Sequence, residues 1–177
     1  MKTIRIAIVA LVPGVFLLGP LSADMAPQQP QLIFTKGLEN TFAADWQGVE
    51  DRIYFMQWSL DLETWFYAPF IDFGDGMHSR GVAGSAPKSF FRLHCVDDPE
   101  IASLDEAMNA DFDGDGLSNI FEVTFGYDPY SAVSTLDGPD NALDPESDGM
   151  TNSTENTRGL NPVARDNPIL LLQVTVE

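Results

Sequence analysis

Residues 111–122 read DFDGDGLSNIFE, and few peptide patterns leave a chain so little freedom. Asp111, Asp113 and Asp115 stand at alternate positions, Gly116 follows, Asn119 comes next in the pattern, and Glu122 closes the twelve. Carboxylates this dense repel one another unless a cation lies among them. A Ca²⁺ ion takes about six to eight oxygens at roughly 2.3–2.6 Å, and a loop with carboxylates at positions 1, 3, 5 and 12 and a backbone carbonyl at 7 supplies them. In this register Leu117 gives the carbonyl, Asn119 the side-chain oxygen of position 9, and Glu122 a bidentate carboxylate. Glycine at position 6 permits the sharp turn with φ > 0 that a side chain disfavours.

The pattern returns 33 residues later as DPESDGMTNSTE, residues 144–155. Asp144, Glu146, Asp148, the Met150 carbonyl, Asn152 and Glu155 repeat the ligand positions, with Gly149 at the turn. The likeness runs on past each loop, as GYDP at 126–129 and GLNP at 159–162, which marks an internal repeat. The second copy is weaker. Glu146 is longer than the aspartate it replaces, and the approach DGPDN at 137–141 reads as turn. A helix over residues 99–109, starting at Asp98 and Pro99, is predicted to lead into the first loop, and one over 118–125, stopped by Gly126, to leave it. Neither loop has His or Cys, which argues against Zn²⁺, and Mg²⁺ prefers octahedral sites that keep several waters. The competing reading is an acidic, glycine-rich linker that binds nothing.

The sequence DGDGLSN…E…GYDP followed by DPESDGMTN…E…GLNP resembles the bacterial thrombospondin type 3-like, EF-hand-like calcium repeats over residues 111–162. That resemblance implies acidic loops wrapped around Ca²⁺ with little apolar core. Dockerins also pair such loops, but they usually carry Asp at position 12, where this chain has Glu122 and Glu155, and space the repeats more closely.

Charge is distributed to match. The formal net charge is −18, and residues 97–177 hold 18 acidic against 2 basic groups. Such a segment repels nucleic acid and anionic lipid, so calcium ions, and with them an extracellular protein or polysaccharide, are the partners it implies. Residues 1–23 read as a signal peptide: Lys2 and Arg5, an apolar run over 6–19, and small residues before Asp24. The run is too short for a transmembrane helix of about 20 residues. The implied location is secreted or at the cell surface, with the periplasm as an alternative and no membrane insertion after signal removal. Cys95 is the single cysteine, so no internal disulfide forms, and its apolar surroundings predict burial.

Residues 24–96 read as β structure. Short strands are predicted over 32–35, 41–46, 52–59, 65–70, 71–73 and 89–96, with weaker pairing over 79–83, a break at Pro69 and a turn at 74–76. In RIYFMQWS, Ile53, Phe55 and Gln57 point one way and Tyr54, Met56 and Trp58 the other, so both faces are apolar and the strand is central. Tyr54, Ser59, Asp61, Leu62 and Trp65, then Phe91, Arg92 and Leu93, resemble a short module of exported bacterial proteins. The resemblance implies a fibronectin-III-like sandwich without known catalytic residues.

Signals for catalysis are thin. His78, in a glycine-rich turn, reads as exposed, and His94 reads as structural; neither neighbours a nucleophile motif. The fold class expected is α+β: a small antiparallel β-sandwich (24–96), then short helices carrying two EF-hand-like calcium loops (97–165), then a strand-like tail, ILLLQVTV, within 166–177. The function expected is non-catalytic, a Ca²⁺-dependent structural or adhesive role outside the cell. The alternative is a carbohydrate-binding or dockerin-like docking module, for which Trp46, Trp58 and Trp65 offer sugar-stacking rings.

Overall fold

The computed structural model describes residues 3–11, 30–37, 41–83 and 89–165, with 3–11 and 83 as backbone only. The expected strand-like tail and residues 1–2 and 12–23 of the expected signal peptide lie outside the described residues.

Among the described residues, seven strands and three short helices follow in chain order: β1 Thr3–Leu11, β2 Ile33–Lys36, β3 Thr41–Gly48, β4 Arg52–Ser59, β5 Phe66–Phe73, β6 Gly76–Ala83, β7 Ser89–Asp97, α1 Leu104–Asn109, α2 Asn119–Phe125 and α3 Asn152–Arg158. All pairings are antiparallel. One sheet runs β2-β3-β6; the other runs β7-β4-β5, with the β1 backbone paired along the outer edge of β7.

The apolar alternation of β4 divides the interior in two. Tyr54 and Met56 join Trp46 and Ala44 of β3, Phe34 of β2, and Phe91, Leu93 and Cys95 of β7 in a cluster that draws on both sheets. Ile53 and Phe55, on the opposite face, meet Ile71 of β5, Val96 of β7, Ala107 of α1 and Val123 of α2. The acidic half is therefore not the coreless string that the repeat resemblance implies. Its helices bury an apolar stripe against the sheet, because α1 and α2 carry Ala107, Met108, Ile120 and Val123 at helical spacing.

Several expectations shift by physical causes that are local. Pro69 does not break the strand: β5 is continuous, and its register against β4 slips between Phe55 and Gln57, a bulge on an edge strand where a missing N–H is tolerated. β6 pairs with β3 along its full length from Thr41↔Ala83 to Gly48↔Gly76, longer than the weak pairing expected. His78 is therefore in a strand and not in an exposed turn. Its ring stacks on Trp46 with centroids 5.2 Å apart, and Nε2 lies 3.1 Å from the Gly74 carbonyl oxygen. Helix α1 starts at Leu104, later than expected, because Ser103 Oγ caps the Glu106 N–H at 3.2 Å while Glu106 Oε2 accepts from the Ala102 N–H at 2.7 Å.

Of the residues carrying the module resemblance, Ser59, Asp61, Leu62 and Trp65 build the β4–β5 turn, while Tyr54, Phe91 and Leu93 lie in the apolar cluster. Ser59 Oγ accepts from the Asp61 and Leu62 N–H groups at 3.2 and 2.8 Å, and Asp61 Oδ1 accepts from Glu63 and Thr64 at 2.8 Å each. Those N–H groups, Thr64 first, hold the Asp61 carboxyl below its usual range. Trp65 Nε1 donates to the Leu62 carbonyl at 3.2 Å, and the Arg92 guanidinium covers the Trp65 ring at 4.0 Å. The motif encodes a turn.

Candidate metal centre

The first loop is wound around its own carboxylates. Asp111 Oδ1 accepts from the Gly114 N–H at 2.7 Å, and Oδ2 accepts from the Gly116 N–H at 2.9 Å. Asp113 Oδ1 takes the Asp115 N–H at 3.0 Å, and Asp115 Oδ1 takes the Leu117 N–H at 2.8 Å. Gly116 has φ +95°, the left-handed turn that its position requires. One oxygen from each of Asp111, Asp113 and Asp115 lies within 4.8 Å of the others.

Glu122 arrives from the first turns of α2 and is fully buried, yet neither of its carboxylate oxygens finds a hydrogen-bond partner. Asp113 Oδ2 and Asp115 Oδ2 are also buried and unpartnered. Burial first, then the charges of Asp113, Asp115, Asp111 and Asp140, push the Glu122 carboxyl up to about 9. Burial and neighbouring carboxylates likewise raise Asp113 and Asp115. Folded proteins seldom leave buried carboxylate oxygens without donors. A cation would supply what they lack, and the residues present could hold a metal ion. Leu117, whose carbonyl the loop register assigns to the ion, anchors the loop with a fully buried side chain that packs with Phe121 and Tyr127.

The second loop repeats the scheme. Asp144 Oδ1 and Oδ2 accept from the Asp148 and Gly149 N–H groups at 3.1 and 3.0 Å, and Asp148 Oδ1 accepts from Met150 at 2.9 Å. Oxygens of Asp144, Glu146 and Asp148 again fall within 4.8 Å of one another, Glu155 is fully buried, and both Glu146 oxygens are buried without a partner. A three-residue 3-10 turn, Asp140–Ala142, stands where the first loop has α1, in agreement with the turn-like approach read from the sequence.

Asn119 departs from the ligand role that spacing assigns it, whereas Asn152 keeps an unpartnered buried oxygen that could serve that role. Asn119 is fully buried; its Oδ1 accepts from the Phe112 N–H at 3.2 Å and its Nδ2 donates to the Ala107 carbonyl at 2.9 Å. With both amide atoms bound to backbone, Asn119 braces its loop. Asn152 Nδ2 makes the matching bond to Asp140 O at 2.7 Å, but its Oδ1 has no partner, because position 2 of this loop is Pro145, which has no N–H. In sequence, Asn119 is indistinguishable from a ligand.

His94 is buried, its Nδ1 lies 3.2 Å from the Tyr67 hydroxyl, its ring stacks on Tyr130 at 4.8 Å, and burial lowers its pKa. Of the tryptophans, Trp46 is fully buried, whereas Trp58, 4.9 Å from the exposed Phe66, and Trp65, covered by Arg92, are partly exposed. Among the described residues, no helix is long and apolar enough to cross a membrane. Compared with protein-family models, curated proteins and solved structures, the chain matches none.

Proposed function

We propose that this chain is an exported, non-catalytic Ca²⁺-binding protein with a structural or adhesive role outside the cytoplasm. The observation that carries the reading is Glu122: fully buried, unpartnered at both oxygens, and held up by the charges of Asp113, Asp115 and Asp111. Asp111, Asp113, Asp115, Glu122 and the Leu117 carbonyl would hold one ion. Asp144, Glu146, Asp148, Asn152, Glu155 and the Met150 carbonyl would hold a second. The finer architecture, a fibronectin-III-like sandwich bearing EF-hand-like loops, belongs to the same proposal and draws support from the apolar cluster shared by the two sheets and the 33-residue repeat.

Calcium would neutralise carboxylates that otherwise repel one another, and so turn the acidic half into a rigid extension of the sheet to which α1 and α2 are packed. Extracellular calcium modules bind at about 10⁻⁴–10⁻³ M, which suits a protein filled only after export. The test is calorimetric titration of the chain with Ca²⁺ after chelator treatment, alongside Mg²⁺ as a control. Two calcium equivalents with a rise in melting temperature are expected; no heat with Ca²⁺ sinks the reading.

A further inference from the structure

We propose that the two loops bind calcium as one cooperative unit, because side chains of the second repeat grip the backbone of the first loop around its ligating carbonyl. The proposal rests on the calcium reading above. Asn141, in the turn leading to the second loop, donates from Nδ2 to the Asp115 carbonyl at 2.5 Å. Asn156, on α3, donates from Nδ2 to the Gly116 carbonyl at 3.1 Å and accepts at Oδ1 from Ser118 Oγ at 3.0 Å. Asn156 thus spans Leu117, bonding the residue before it and the residue after it.

These amides are tied to the second site. Asn156 directly follows Glu155 on α3. Asn141 lies in the Asp140–Ala142 turn, which Asn152 grips twice: Nδ2 donates to Asp140 O at 2.7 Å, and the Asn152 N–H donates to Leu143 O at 2.8 Å. An ion that draws in Glu155 fixes α3, and with it the hold on Gly116 and Ser118. Between the loops lies Asp140, fully buried, its two carboxylate oxygens each 2.9 Å from the Ser134 N–H.

The repeat offset shows that this contact is specific. Asn141 and Asn156 correspond to Met108 and Val123 in the first repeat, 33 residues earlier. Those apolar residues pack toward the sheet. The same two positions therefore dock the first repeat on the sheet and the second repeat on the first.

Linkage requires the coupling to be mutual, and couplings of this kind change affinity by about 5–150-fold. Three full-length proteins are titrated with Ca²⁺ by calorimetry: the wild type, Glu155→Gln, and the double variant Asn141→Ala/Asn156→Ala. The wild-type isotherm is expected to be cooperative, with a Hill coefficient above 1. Glu155→Gln should weaken the first site at least about fivefold, although it touches no ligand of that site. The double variant should still bind two ions, with the Hill coefficient no higher than 1. Two ions bound independently by the wild type overturn the coupling and leave the calcium reading intact, whereas no binding overturns both. The wild-type curve needs no substitution, so a variant that fails to fold does not remove the test. If Glu155→Gln leaves first-site affinity within twofold of the wild type, or the double variant remains cooperative, the proposed route is wrong.

Discussion

The first loop is held between α1 and α2, both packed against β5, and its second residue, Phe112, meets the rings of Phe55 at 6.1 Å and Tyr130 at 5.3 Å. The second loop hangs between one 3-10 turn and α3, and at the position of Phe112 it carries the exposed Pro145. Its position 4 is Ser147 at φ +57°, where the first loop has Gly114 at φ +81°. Near-identical ligand patterns can thus sit on unequal foundations. One loop is preorganised by a core, and the other by its neighbour. Preorganised sites spend less of their binding energy on ordering, so the first loop should be the tighter of the two.

The strongest attack on that ranking removes the twelfth-position carboxylates. Glu122→Gln should weaken the first site by at least ~100-fold, beyond the tenfold to hundredfold typical of an outer-sphere partner. Glu155→Gln should leave the first site detectable at weaker affinity, and calorimetry of the two variants side by side decides the order. A larger loss of total binding in Glu155→Gln would reverse it. In chelator, Glu122→Gln should melt no lower than the wild type, because a neutral isostere replaces a buried carboxylate without donors.

Next in size is the footing of the first loop. Phe112→Ala should cost about 2 kcal/mol in urea denaturation, less than a fully buried Phe because Phe112 is only half-buried. Pro145→Ala, its counterpart, should stay within about 0.5 kcal/mol. Equal losses at the two positions would mean that the loops are anchored alike.

The smallest effect is conformational. An L-residue in the left-handed region costs about 1–2 kcal/mol, partly offset by the greater freedom of glycine in the unfolded chain. Ser147→Gly should therefore stabilise the calcium-loaded protein by about 0.5–1 kcal/mol, read as a higher melting temperature, and Gly114→Ala should destabilise it by a similar amount.

The clustered carboxylates, the glycine turns, the 33-residue repeat and the two-faced β4 are all legible in the sequence, because each depends on spacing within a short stretch. What escapes depends on partners distant in the chain. Asn119 has the spacing of a ligand, and only the folded loop brings its amide to Phe112 and Ala107. His78 looks exposed beside two glycines until β6 pairs with β3 and lays its ring on Trp46. The docking of the acidic half hides in a few apolar residues, Phe112 and Tyr130 among them, scattered through carboxylates. The Ser103–Glu106 capping signal was available locally, and it marks the true start of α1 better than Pro99 does.

One strand, β4, contributes side chains to both apolar clusters, with Tyr54 and Met56 on one side and Ile53 and Phe55 on the other. Its amides are bonded to β5 and β7 at once. In hydrogen-exchange terms, β4 belongs to the last part of the molecule to open, since neither cluster can come apart locally without exposing it. Stripping calcium should accelerate exchange first in α3, then in α1 and α2, and reach β4 only when the whole chain unfolds. The strand thus marks where a local loss of metal ends and global unfolding begins.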